Sequence, residues 1–228
     1  MNNIKIISFD ADDTLWVNET YFRDAEDDFA RLLSDYETEN KIHQELFKKE
    51  IENLKIYGYG VKGFMLSMVE CALEISNYKI SPKKMEAILE IGKEMLEKPI
   101  ELLDGVEEVL QELHGKYKLI VATKGDLLDQ ERKLEKSGIL KYFHHTEVMS
   151  DKKEKDYVKL IKHLDINPSE LLMIGNSLKS DVLPLVALGA AAVHVPFHTT
   201  WAHEEVSNEQ KSDSYKTVAK ITEVLTFL

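Results

Sequence analysis

Cysteine is almost missing from this chain: Cys71 stands alone among 228 residues. An intrachain disulfide is therefore excluded, and so is a zinc site built on cysteines. Cys71 lies in an apolar stretch of helical spacing and reads as a small buried filler. Long apolar runs are missing too; no segment approaches the roughly 20 residues that span a bilayer. The opening MNNIKIISFD has neither a long apolar core nor a small-residue cleavage site, so the expectation is a cytoplasmic chain with no membrane partner. Positive charge is scarce, with 29 Lys and Arg against 41 Asp and Glu and a net charge of -12. That balance argues against a nucleic-acid partner, whose phosphates call for clustered Lys and Arg, yet it leaves room for a local basic pocket that holds a small anion. Internal repeats and low-complexity tracts are absent, which excludes a solenoid. The length suits one large domain or a core with a smaller insertion, and nothing in the sequence sets the oligomeric state.

What is present divides by apolar periodicity into three parts. Residues Ile4 to Phe9 are short, β-branched and closed by acidic residues, as in a central strand of a parallel sheet. Helical spacing follows. Phe22, Ala25, Phe29, Leu32, Leu33 and Tyr36 make one face, and Ile42, Leu46, Ile51 and Leu54 another. A third run covers Gly60 to Ile75, and a fourth opens at Ser81-Pro82, a capping residue followed by proline at the first helical position. The run Tyr57-Gly58-Tyr59-Gly60-Val61-Lys62-Gly63 lacks phosphate-loop spacing. It reads either as a tight turn or as a surface on which Lys62 and Tyr59 choose a substrate.

From about Leu102 helix and strand alternate. Strands are predicted at Lys118 to Ala122, Phe143 to Val148, Leu171 to Ile174 and Ala190 to Val195, with helices between them and a closing helix carrying Val218, Ile221, Val224 and Leu225. Such alternation implies βαβ units. The expected fold class is α/β: a doubly wound, Rossmann-like parallel-sheet core of residues 1–16 and 99–228, with an inserted all-helical domain at 17–98.

Three polar clusters sit at the carboxyl ends of predicted strands: Asp10 to Thr14, Thr123 to Gly125, and Asn176 to Asp181. Ligands of open α/β sheets bind outside those ends. Asp10, Asp12 and Asp13 repel one another and are costly to desolvate, whereas a plain turn could use Asn, Gly or Ser.

The order Asp10-x-Asp12-x-Thr14, then Thr123 after an apolar strand, then a lysine, then Gly175-Asn176-Ser177 with Asp181 resembles the haloacid dehalogenase-like (HAD) hydrolase superfamily. The resemblance covers essentially the entire chain, and the helical insertion after the first motif is similar to that family's helical (C1-type) cap domain. It implies a magnesium-dependent phosphatase acting on a small phosphorylated metabolite. Asp10 would be the nucleophile that forms an aspartyl-phosphate. Asp12 would be the general acid and base, a role that asks for a pKa well above about 3.9. Thr14, Thr123 and the Lys124 and Gly125 backbone would surround the phosphoryl oxygens, and a lysine would balance the charge. Spacing back from Gly175 favours Lys152 for that lysine over Lys153 and Lys155. Magnesium would be held by the Asp10 carboxylate, the Asp12 carbonyl, Asn176 and Asp181, with Asp13 contributing through water.

Two departures stand out. Asn176 occupies a place where the family often has Asp, which removes one charge from the metal site, and Lys124 stands where the family often has Asn. The first departure keeps two alternatives open: a 2-haloacid dehalogenase, in which Asp10 attacks carbon, and a non-catalytic phosphate-binding module. His198 and His203, five apart, do not have the helical spacing of paired metal ligands. His144 and His145 alternate on a strand, which predicts one packed and one exposed.

Overall fold

The computed structural model describes residues 3–207 and 214–228. Two compact units emerge: Met1–Glu19, Ile100–Lys124 and Gln130–Leu228 form the first, and Thr20–Pro99 with Gly125–Asp129 form the second. Among the described residues no helix is long and apolar enough to cross a membrane.

The elements in chain order are β1 (Ile6–Phe9), then α1 (Glu19–Leu33), α2 (Glu39–Tyr57), α3 (Val61–Ile75), α4 (Pro82–Glu97) and α5 (Val106–Leu113). There follow β2 (Lys118–Lys124), α6 (Leu127–Lys136), β3 (His145–Met149), α7 (Glu154–His163), β4 (Leu171–Gly175), α8 (Leu183–Ala187), β5 (Ala191–His194) and β6 (Lys216–Thr217). The strands form one sheet in the order β3-β2-β1-β4-β5-β6, and every pairing is parallel. This is the α/β architecture expected from the sequence.

Strand β1 is buried along its whole length because β2 and β4 flank it, with Phe9 level with Val121 and Ile174. Alternate residues of each strand serve opposite faces. Ile7, Phe9, Leu119, Val121, Leu172 and Ile174 join Val106, Val109 and Leu110 of α5 in one core. Ile6, Ile120, Ala122, Leu171 and Met173 join Tyr157, Leu160 and Ile161 of α7 in the other. Burial on both faces explains why the strands read as continuous apolar runs.

The second unit has its own core, with Phe29 and Leu33 from α1, Ile42 and Leu46 from α2, Phe64 and Met68 from α3, and Ile88 from α4. Cys71 is buried there, and burial pushes its thiol up to about 12. Ser81 caps α4 by accepting from the Lys84 N–H at 3.3 Å. The glycine run is the α2–α3 turn: Gly58 has φ 74 and Gly60 φ 107, a region that favours glycine. A Cβ on Gly63 would lie 2.8 Å from the Gly58 carbonyl oxygen. Residues 125–129, expected in the core, cluster with the helices instead. Lys62 pairs with Asp126 at 2.8 Å, and a Cβ on Gly60 would lie 3.0 Å from the Asp126 nitrogen.

Two further expectations are refined. The closing helix is present but short and of the tighter 3-10 kind, Ile221–Thr226, in keeping with β-branched Ile221, Thr222, Val224 and Thr226, which are poor α-helix formers. The helix expected between β4 and β5 begins as a π-turn, Leu178–Val182, and continues as the short α8. Pro184 has no N–H to give the Ser180 carbonyl, and that carbonyl accepts the Tyr157 hydroxyl at 2.9 Å instead.

Because the helical unit has a separate core, Phe29→Ala should cost about 3 to 5 kcal/mol there. Hydrogen exchange should quicken in α1 to α4 while β1, β2 and β4 keep their protection; unchanged exchange in α1 to α4 would refute the separation.

Candidate active site

The Asp10 N–H donates to the Ile174 carbonyl at 2.9 Å, carrying the ladder one residue past β1. The chain then curls. The Ala11 carbonyl accepts from the amides of Thr14, Leu15 and Trp16 at 3.2, 2.8 and 3.4 Å. Asp13 sits at φ 62, a left-handed conformation that Asp tolerates better than most residues. Its carboxylate accepts the N–H groups of Asn18 at 2.8 Å and Glu19 at 3.0 Å. Burial pushes it up to about 7 against those bonds. Asp13 is thus engaged at the start of α1, which corrects the expectation that it serves a metal through water.

Lys152, from the loop between β3 and α7, is 2 % exposed. Its Nζ donates to Asp10 Oδ1 and to Asp181 Oδ1 at 2.7 Å. Burial pulls its pKa down, but the two carboxylates overrule that and hold it well above the ordinary lysine value. Asp10 is pushed up to about 7 by burial and by Asp181, against the pull of Lys152. Thr14 accepts the Asn176 N–H at 3.0 Å, and its hydroxyl lies 3.0 Å from Asp10 Oδ2 and 3.2 Å from Asn176 Oδ1. One proton cannot serve both oxygens, and the charged carboxylate is the stronger acceptor. Asp181 Oδ2 accepts the Ser177 N–H at 3.0 Å. Gly175 makes this approach possible, since a Cβ there would lie 2.4 Å from Asp181 Oδ2.

The Asp12 carboxylate points to different partners: Trp16 Nε1 at 2.8 Å, Gln130 Nε2 at 2.7 Å and Lys133 Nζ at 2.9 Å. Burial would raise it, yet the Lys133 charge and these three donors leave it below the ordinary carboxylate value. The expectation of a raised Asp12 pKa is therefore wrong for this arrangement, in which Asp12 is a fully partnered anion.

Thr123 is buried, with its hydroxyl 3.2 Å from the Lys124 carbonyl that it donates to. Lys124 Nζ binds Glu204 Oε1 at 2.6 Å and Ser180 Oγ at 2.9 Å. Glu204 also accepts from Ser177 Oγ at 2.5 Å and Ser180 Oγ at 2.6 Å. Burial would raise Glu204, but Lys124 and the two hydroxyls bring it down to about 2. Gly125 has φ 135 and, like Lys62, belongs to the helical unit. Lys153 pairs with Asp151 at the surface and Lys155 is exposed, so Lys152 is the lysine that meets Asp10. Sequence reading overlooked Gln130, Lys133 and Glu204. Their placement follows from tertiary folding, and no local motif marks them.

A sequence model of the haloacid dehalogenase-like hydrolases matches residues 4–189. The chain belongs to that family. A HAD-like hydrolase from Xanthomonas campestris is 37% identical with TM-score 0.86, over 97% of this chain and 88% of its own. A predicted phosphoglycolate phosphatase from Haemophilus somnus superposes at TM-score 0.66 with 18% identity, covering 99% and 98%. A Bacillus subtilis HAD-hydrolase bound to magnesium superposes at 0.64 with 17% identity, covering 98% of each chain. Other structural neighbours include both phosphatases and 2-haloacid dehalogenases. A search of curated proteins finds no match.

The donor set of the HAD hydrolase suits a hard cation. Asp10, Asp181 and Asn176 offer side-chain oxygens, and the two buried carboxylates share one ammonium, which leaves a negative surplus.

Because Glu204 is held at about 2 against an ordinary 4.5, its network stabilises the fold above about pH 4.5 and is lost as pH falls towards 2. Urea midpoints should fall more steeply over that window in wild type than in Glu204→Gln; parallel profiles would contradict the assignment.

Proposed function

We propose that the protein is a magnesium-dependent hydrolase of a small phosphate monoester. The observation that carries this reading is the buried Asp10–Lys152–Asp181 array, which holds one carboxylate in excess beside the carboxyl ends of three strands. Asp10 Oδ2, facing Thr14, would attack phosphorus, forming an O–P bond while the ester O–P bond breaks. Water would then cleave the aspartyl-phosphate, regenerate the carboxylate and release phosphate. Magnesium, held by Asp10, the Asp12 carbonyl, Asn176 and Asp181, would supply charge neutralisation for the phosphoryl group. Lys152 would keep the array from repelling an anion, and Thr123 with the Lys124 amide would cradle the phosphoryl oxygens.

Asp12 would serve as acid and base only after leaving Lys133, Gln130 and Trp16, because a carboxylate with three donors has no proton to give. That engagement, together with neutral Asn176, favours a second reading: dehalogenation of a 2-haloacid, in which Asp10 attacks carbon without a second acid.

The deciding experiment is hydrolysis of an aryl phosphate by wild type and Asp10→Asn, each with magnesium and with chelator, beside halide release from a 2-haloacid. Turnover that needs both Asp10 and metal, lost about a thousandfold or more in Asp10→Asn, supports the phosphatase. Metal-independent halide release without ester hydrolysis overturns it. Lys152→Ala should lower turnover far more than Lys153→Ala, since Lys153 lies at the surface; equal losses would remove Lys152 from the site.

A further inference from the structure

Away from the carboxyl-end crevice, β3 and α7 bring together three groups that the proposed hydrolysis does not use. His145 and Glu147, two apart on the edge strand β3, project to the same face. That face packs on α7, whose last residue is His163. His145 Nε2 lies 2.8 Å from a Glu147 oxygen, and the His145 and His163 rings are 5.3 Å apart at a 30° tilt. One ligand atom from each of the three falls within 4.8 Å of the others. Donors around a tetrahedral zinc, at bonds of about 2.0 to 2.2 Å, lie about 3.3 to 3.6 Å apart, so the three side chains reach that spacing by closing in by little more than an ångström at most.

We propose that His145, Glu147 and His163 form a binding site for a divalent transition-metal ion, with Zn2+ as the probe. Two imidazoles and one carboxylate are a borderline donor set that prefers zinc-like ions over magnesium. They leave a fourth position for water. The carboxyl end of α7 points its partial negative charge at the same place, which favours a cation. The side chains of His145 and Glu147 are each 35% exposed and His163 is exposed, so an ion reaches them without opening the fold.

The position fixes the role. His145 begins β3 and His163 ends α7, whereas Lys152 lies in the connection at the other end of both elements. Four strand steps already separate His145 from Met149 by roughly 13 Å. The metal therefore clamps the edge strand to its helix and takes no part in chemistry at Asp10.

Zinc binding to the full chain, measured by competition with a chromophoric chelator under excess Mg2+ to occupy the hard-oxygen site, tests this. Wild type should bind one Zn2+, and His163→Gln and Glu147→Gln should each bind at least about tenfold more weakly, while Asp181→Asn and His203→Gln bind as wild type does. Zinc at a hundredfold excess over its Kd should raise the wild-type melting temperature by several degrees and leave that of His163→Gln unmoved. His163 is exposed, so its replacement leaves the fold intact. Absence of zinc binding, equal affinity in wild type and His163→Gln, or loss in Asp181→Asn or His203→Gln would overturn the site.

Discussion

Lys152 is buried between the carboxylates of Asp10 and Asp181, and isolating any one of these charges in the interior would be prohibitive. Lys152 makes the two carboxylates tolerable there, and they in turn hold its charge, although they repel each other. Much of the surrounding chain serves that arrangement. The β1 ladder extends through the Asp10 amide to Ile174, and Gly175 leaves the space that Asp181 fills. Pro184 blocks the ordinary helical bond to Ser180 and so coincides with the π-turn that carries Asp181. Tyr157 ties α7, the helix after Lys152, to that turn. The sheet supplies the rigidity, since strand burial on both faces fixes where its carboxyl ends lie.

Two other ion pairs flank the central array and behave differently. Asp12 with Lys133, and Glu204 with Lys124, are matched one carboxylate to one ammonium. In both, attraction and donated hydrogen bonds outweigh burial, and the carboxyl stays below its ordinary value. Asp10 goes the other way because burial is joined by repulsion from Asp181, with which it shares its cation. Burial pushes all three carboxyls up, and the charges and donors around each decide whether that push prevails.

The sequence made the scaffold legible wherever periodicity was strong. The β1, β2 and β4 strands read clearly as apolar runs ending in polar residues, and Ser81-Pro82 marked the start of α4 by simple capping chemistry. Within the family resemblance, spacing back from Gly175 favoured Lys152 over Lys153 and Lys155 without settling the choice. What failed was anything set by direction rather than position. Asp10 and Asp12 are two apart, and on a continuing strand their side chains would share a face. The chain leaves β1 at Phe9 and curls about the Ala11 carbonyl, so Asp12 turns towards α6 and its Lys133. Glu204 was invisible for a related reason. It lies beyond β5, in a segment with no periodicity, and its meaning comes from Ser177, Ser180 and Lys124, which only folding brings near.

The surplus charge has a consequence for how the central array responds to its surroundings. A carboxyl held at about 7 even beside Lys152 takes up a proton near neutral pH. Proton and metal would then compete for the same oxygens, because a ligating carboxylate must be ionised. Asn176 sharpens that competition, since a neutral amide adds an oxygen without adding charge. An aspartate in its place would strengthen the hold on a cation while raising Asp10 further by repulsion. The neutral residue adds no repulsion at Asp10, and it would offer a cation one charge fewer. A phosphoryl group bound there, as proposed, would make the same demand on the array as a third carboxylate, and the charged Lys152 is the group present to meet it.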